Sequence, residues 1–344
     1  MSFDSLKKCM AKLPTLTPSQ LFHLLVIDMA LHFSLIYYAD PGKVIKLHDY
    51  VDGSATTPFI FRILPYLLYC GFEQVLGLFH AHMPVLPHPF LDDESWFTIL
   101  LNALGVIVAV EVTAVIIKQV THSDRMRWLS LAIFPCIYFN SLLAINRNLF
   151  YTYDMSSLAF FTILLWAGLN KRYLIFLLTL VPAMVNKETA IMAIPLTLFL
   201  NWKKEDAKKL LAFCFLAGAL ALAVKYTVVS LVPHYFHVER EIFSNKLYEN
   251  ARQIVNPLAW ISMPSIFGYM WIPLILVWRN IAPRLRYSFA MIAFLWLIVM
   301  IPVGVIRELR IFSELSSFLI VALASGLANR FPRLKQASGV ECTH

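Results

Sequence analysis

The chain has 344 residues, 59% of them hydrophobic and only 15% charged, with a mean hydropathy of +0.67. A soluble domain carries about a quarter charged residues, so this composition excludes an ordinary soluble fold. The net charge of +8 sits in short basic clusters between apolar runs, which is how membrane orientation is set and not a pattern that binds nucleic acid.

Apolar runs near 20 residues match the helix length that crosses a hydrocarbon core about 30 Å thick, and they are too long for the strands of a barrel. The expected fold class is all-α, a polytopic transmembrane helical bundle forming a single integral membrane domain over 1–344. The first run, 21–38, is followed by Asp40 and lacks a small-residue cleavage site, so it reads as a retained first span. Further spans are expected at 96–117, 128–145, 155–170, 173–186, 189–201, 210–231, 258–278, 287–305 and 311–327, about ten in all. The basic clusters that divide them include Lys7/Lys8/Lys12, Lys118/Arg125/Arg127, Lys171/Arg172, Lys203/Lys204, Arg284/Arg286 and Arg330/Arg333. All fit one side of the membrane, with both termini cytoplasmic.

Segments 173–186 and 189–201 are too short to span alone and begin and end at cytoplasmic clusters. They therefore predict a hairpin whose tip, Asn186-Lys187-Glu188, points outward into a hydrated cavity. Segment 58–79 holds Arg62, Pro65 and Glu73 and reads as a helix lying along the outer interface. The first outer loop then runs over 39–95 and the second over 233–257.

This topology gathers polar motifs on the outer face. They are Asp49 and Asp52 in the first loop, then Arg62, then Asp92-Asp93-Glu94. Asp154 opens the fourth span, Lys187-Glu188 marks the hairpin tip, and Arg307-Glu308-Leu309-Arg310 precedes the last span with Glu314. Carboxylates activate hydroxyls and arginines hold phosphate through forked hydrogen bonds. Each motif also has a plainer reading. Asp49 and Asp52 can simply solvate a loop, Lys187 can pair with Glu188, and Arg307 and Arg310 can form a structural knot around Glu308. Asp92-Asp93-Glu94 reads as a solvated acidic turn. Within the spans, Asp28 and Glu111 share a depth, His32 is placed to share a proton with Asp28, and Lys225 is placed to reach Glu314 or a lipid phosphate. His234 and His237 lack a third ligand, and the five scattered cysteines read as free thiols. No metal and no cofactor is expected.

The combination of His48-Asp49-Tyr50, Arg62-Ile63-Leu64-Pro65, Tyr153-Asp154-Met155, Asn186-Lys187-Glu188-Thr189 and Arg307 through Glu314 resembles small bacterial members of the GT-C superfamily of membrane glycosyltransferases. The resemblance implies sugar transfer from a polyprenyl-phosphate-linked donor in the lipid bilayer to a glycan, lipid or protein acceptor. It places this chemistry on the non-cytoplasmic face of a bacterial inner membrane. It also implies Asp49 as the base, with Asp52 as its neighbour. Arg62, Asp154, Lys187, Glu188, Arg307, Glu308 and Arg310 would then bind substrate. A glycan polymerase or ligase, and a transporter or flippase with Asp28 and Glu111 along its route, are the competing readings.

Overall fold

The computed structural model describes residues 16–39, 47–51, 61–78, 92–142, 150–203, 206–236, 246–257, 263–304 and 308–334. Among these every regular element is helical. In chain order they are α1 Pro18–Ala39, α2 His48–Val51, α3 Leu64–Leu78, α4 Asp93–Thr121, α5 Ile133–Ser141 and α6 Asp154–Leu169. There follow α7 Tyr173–Asn186, α8 Ala193–Asn201, α9 Ala207–Phe236, α10 Leu247–Val255, α11 Trp271–Leu276, α12 Pro283–Val303 and α13 Ser316–Arg330. Short 3₁₀ stretches lead into α5 (Met126–Ala132), α8 (Glu188–Met192) and α13 (Leu309–Leu315).

Helix starts follow from local chemistry. Before α1, Thr17 and Gln20 satisfy each other's backbone N–H groups (2.9 and 3.2 Å), a reciprocal cap, with Pro18 at the first helical position. At α4, Asp92 accepts from the Ser95 N–H (2.8 Å), and Asp93 and Glu94 occupy the first turn, where the helix dipole favours negative charge. Asp92 is thus a cap, beyond the solvated turn expected of it.

Five helical segments among the described residues are long and apolar enough to cross a membrane: Pro18–Ala39, Asp93–Thr121, Ala207–Pro233, Pro283–Pro302 and Leu309–Arg330. Asp154–Leu169, Tyr173–Asn186 and Glu188–Asn201 are apolar but shorter. The last long segment is central, with 94% of its apolar window buried, whereas Ala207–Pro233 is peripheral at 22%. A helix apolar all round belongs inside the bundle. The expected span 258–278 is not one helix. Phe267, Gly268 and Tyr269 take left-handed backbone angles, and Asn140 accepts the Phe267 N–H (2.9 Å) at the break. Two non-glycine residues in that region are strained, and α11 resumes beyond them as a short helix.

The turns that carry basic clusters meet at one end of the bundle. Ser123 donates to the Leu334 carbonyl (3.0 Å), Asn170 to Gln119 (3.2 Å), and Arg284 to Asn201 (2.7 Å). The polar motifs meet at the other end, so the alternating helix directions read from charge are present in the packing. The expected Asp28–His32 contact does not form. His32 pairs with the Tyr138 hydroxyl (2.6 Å) and Glu111 with His23 (2.6 Å), because both histidines turn to neighbouring helices.

Where α4 crosses α6 the backbones touch at Gly105. A Cβ there would lie 2.7 Å from the Met155 carbonyl carbon and oxygen, whereas one at Gly218 meets nothing within 4 Å. Gly105→Ala is therefore expected to destabilise by about 1–3 kcal/mol through overpacking. Gly218→Ala should be neutral or slightly stabilising, as alanine is the better helix former. Thermal unfolding of both variants in one detergent checks the contrast.

Candidate functional site

The hairpin tip organises the polar end. Asn186 closes α7 with its side chain fixed to the start of α6. It donates to the Tyr153 carbonyl (3.0 Å) and Ser157 (2.8 Å) and accepts from Ser156 (2.9 Å). Lys187 then adopts extended backbone angles (φ −163°, ψ 133°), in which successive side chains point to opposite sides. The two tip charges diverge and do not pair with each other.

Lys187 turns inward. Its Nζ lies 2.8 Å from Glu314 and 3.5 Å from Asp154, and these side chains are almost fully buried. Glu314 also accepts from the Thr189 hydroxyl (2.8 Å). Arg310 completes this group. It donates to Asp154 (3.0 Å), pairs with Glu308, and lies 3.5 Å from the centre of the Tyr151 ring. Tyr37, at the end of α1, donates to Asp154 as well (3.2 Å).

Glu188 turns to the rim. Arg62 grips it with two nitrogens (2.6 and 3.3 Å) and donates to the Tyr153 hydroxyl, while Lys225 of α9 approaches to 3.7 Å. Here the side chains of Glu188 and Lys225 are about one third exposed (36% and 29%), which makes this the accessible part of the network. Burial works against charge on both partners, and the pair overcomes it. Glu188 holds Arg62 above the ordinary arginine value, and Arg62 and Lys225 hold Glu188 below the usual carboxylate range. Burial pushes Tyr50 and Tyr153 up and Tyr151 to about 12, so these phenols act as neutral hydrogen-bonding groups.

The structure thus brings Arg62, Asp154, Lys187, Glu188, Glu308 and Arg310 into one network. Asp49 is half-buried on α2, beside Tyr50, whose hydroxyl donates to the Arg62 carbonyl (3.1 Å) and whose ring stacks on Tyr66. Glu94 anchors the same turn by accepting the Leu47 N–H (2.6 Å). Asp52, Arg307 and His237 lie outside the described residues. Lys225 meets Glu188 and not Glu314, the protein partner expected for it. Glu314 belongs to Lys187. Tyr37 is a member that sequence reasoning missed, since an aromatic near a helix end gives no sign of its partner, and Tyr153 was noted only as part of the motif around Asp154.

Four cations (Arg62, Lys187, Lys225, Arg310) therefore face four carboxylates (Asp154, Glu188, Glu308, Glu314). No group of three or more His, Cys, Asp or Glu side chains suited to a metal ion occurs among the described residues. The chain matches no known family model, no curated protein and no solved structure.

Removing one partner from a buried pair strands the other charge, at about 3–5 kcal/mol. Lys187→Met is expected to cost that much, because Asp154 and Glu314 both lose their lysine. Lys225→Met, at the rim, should cost under about 1 kcal/mol. Thermal melts of the two variants in one detergent decide this, and equal losses would contradict it.

Proposed function

We propose that the chain is a membrane glycosyltransferase that moves a sugar from a polyprenyl-phosphate donor to an acceptor hydroxyl on the non-cytoplasmic face of a bacterial inner membrane. In this reading the shorter helices complete a GT-C-like bundle of about ten crossings. The observation that carries the proposal is the seating of the Asp49 helix, through Tyr50, on Arg62 at the accessible rim of the network.

Asp49 takes the proton from the acceptor hydroxyl as its oxygen attacks the anomeric carbon. The bond from that carbon to the phosphate oxygen breaks, and the lipid phosphate departs with the electron pair. The two partly exposed groups divide the next task. Lys225 leaves Glu188 for the phosphate, and Glu188 stays neutralised by Arg62. Placing fixed positive charge where negative charge develops is a main source of rate enhancement. Arg310 and Lys187 are buried and matched by carboxylates, so they position the rim without touching the donor. Glu308 and Asp154 hold Arg310 in place, with Asp52 as the second candidate base and Arg307 as a further candidate for the donor phosphate.

The test uses purified protein in proteoliposomes with a panel of radiolabelled polyprenyl-phosphate sugars. Asp49→Asn should lower transfer by about 10²–10⁴-fold, the usual contribution of a general base, while donor affinity stays within about threefold. Lys225→Met should weaken donor binding about tenfold or more with little change in melting, as expected for a charge-assisted contact to phosphate. Transfer by Asp49→Asn at the parent rate removes the base assignment. Failure of every donor to bind removes the proposal.

A further inference from the structure

Helix α10, Leu247–Val255, has nine residues, about 13–14 Å of helix and too short to cross a bilayer. It is fixed beside the end of α12. The Lys246 backbone N–H donates to the Pro302 carbonyl (2.9 Å). The buried Asn250 side chain donates to the Ile301 and Gly304 carbonyls (2.6 Å each). These are carbonyls of the kind that a helix C-terminus leaves without partners of its own. Pro302 closes the membrane-spanning window of α12, at the end away from Arg284 and Arg286. Asn250 therefore fixes the depth of α10 at the edge of the hydrocarbon core.

Successive residues of a helix are rotated by about 100°, which divides the rest of α10 into two sides. Leu247, Tyr248, Ala251 and Val255 share one arc about 100° wide, and the register puts Glu249 and Arg252 outside it. The apolar arc is bare. Tyr248 and Val255 are 82% and 80% exposed, and Leu247 and Ala251 are exposed as well. Arg252, beyond its edge, is also exposed. Bare sides of opposite polarity need different surroundings. At the depth of Pro302 the two on offer are acyl chains and water. The outward side of α12 leads to the same place, since Met291, Phe294, Leu297 and Ile298 on it are all exposed.

We propose that α10 is an interfacial anchor that binds the bilayer surface at the end of the bundle opposite the basic clusters. The helix lies along the membrane plane, with Leu247, Tyr248, Ala251 and Val255 in the headgroup and acyl boundary and Glu249 in water. The proposal rests on the membrane-spanning reading of α12 and needs no sugar transfer. Tyr248 suits such a boundary, because its ring is apolar and its hydroxyl is wet. Arg252, at the edge of the apolar arc, runs its stem along the lipid and presents its guanidinium to the lipid phosphates.

The experiment introduces Tyr248→Cys, Val255→Cys, Glu249→Cys or Arg252→Cys singly into a cysteine-free background and attaches a nitroxide spin label. The full chain is then reconstituted into vesicles of phosphatidylethanolamine and phosphatidylglycerol. Collision with molecular oxygen, which concentrates among acyl chains, is compared with collision with a water-soluble nickel chelate. The oxygen-to-nickel ratio should be at least about fivefold higher for Tyr248→Cys and Val255→Cys than for Glu249→Cys and Arg252→Cys, as for labels about 5–10 Å into the boundary. Free access of nickel to all four labels would place α10 in water and overturn the proposal. Exclusion of both reagents at Tyr248→Cys and Val255→Cys would overturn it too, by showing that protein covers this face.

Discussion

Between α7 and the 3₁₀ turn that follows, Lys187 alone is extended, and this sends two adjacent charges to opposite sides. Taking an ion out of water costs several kcal/mol even after the protein relaxes, and only a well-matched partner offsets it. Lys187 finds two such partners, on the first residue of α6 and in the stretch before α13. Glu188 finds Arg62 and Lys225. Four segments far apart in sequence are thereby pinned to one tip. If the backbone at Lys187 were helical, the two charges would lie about 100° apart on one helix face, and one of these groups would lose its match.

Helix length explains why the tip needs partners at all. Tyr173–Asn186 has 14 residues, about 21 Å of α-helix. The returning arm combines five 3₁₀ residues with nine α-helical ones, about 23–24 Å at roughly 2.0 and 1.5 Å per residue. Both fall short of a hydrocarbon core about 30 Å thick. In a bilayer spanned by the longer helices, Lys187 and Glu188 sit below the surface, where unpaired charge does not survive. Lys225, reaching in from the long helix α9, meets Glu188 at 3.7 Å on the partly exposed side of the tip. With that single carboxylate it is the loosely held cation of the network, whereas Arg310 is held by two carboxylates.

Much of this was legible in the sequence because it depends on local pattern. Apolar run length shows the helices, the basic clusters show which turns share an end, and the two short runs around Asn186-Lys187-Glu188 predict the hairpin that forms. What stayed hidden depends on rotation and packing. Whether Lys187 meets Glu188 or Glu314 is decided by one residue's backbone angles, and no spacing rule encodes those. The break at 267–269 was equally silent. Apolar composition cannot tell a continuous span from two short helices, and Gly268 alone is a weak sign among residues otherwise suited to a helix. Tyr37 joins the network through a single hydroxyl on a ring that looks like ordinary core.

Helix α1 links the two ends of this argument. Its inward face ends at Tyr37, which hydrogen-bonds Asp154 (3.2 Å) and receives the Tyr151 N–H (3.4 Å). Lower on the same helix, His23 pairs with Glu111 (2.6 Å) and His32 with the Tyr138 hydroxyl (2.6 Å). His32 and Tyr37 are five residues apart on unbroken helix, about 7–8 Å of stiff rod. The contact that sets the rotation of α1 at His32 therefore also sets where the Tyr37 hydroxyl stands, since a helix does not twist freely along its length. These two histidines and the buried charges of the site answer the same requirement, that ionisable groups at membrane depth find partners.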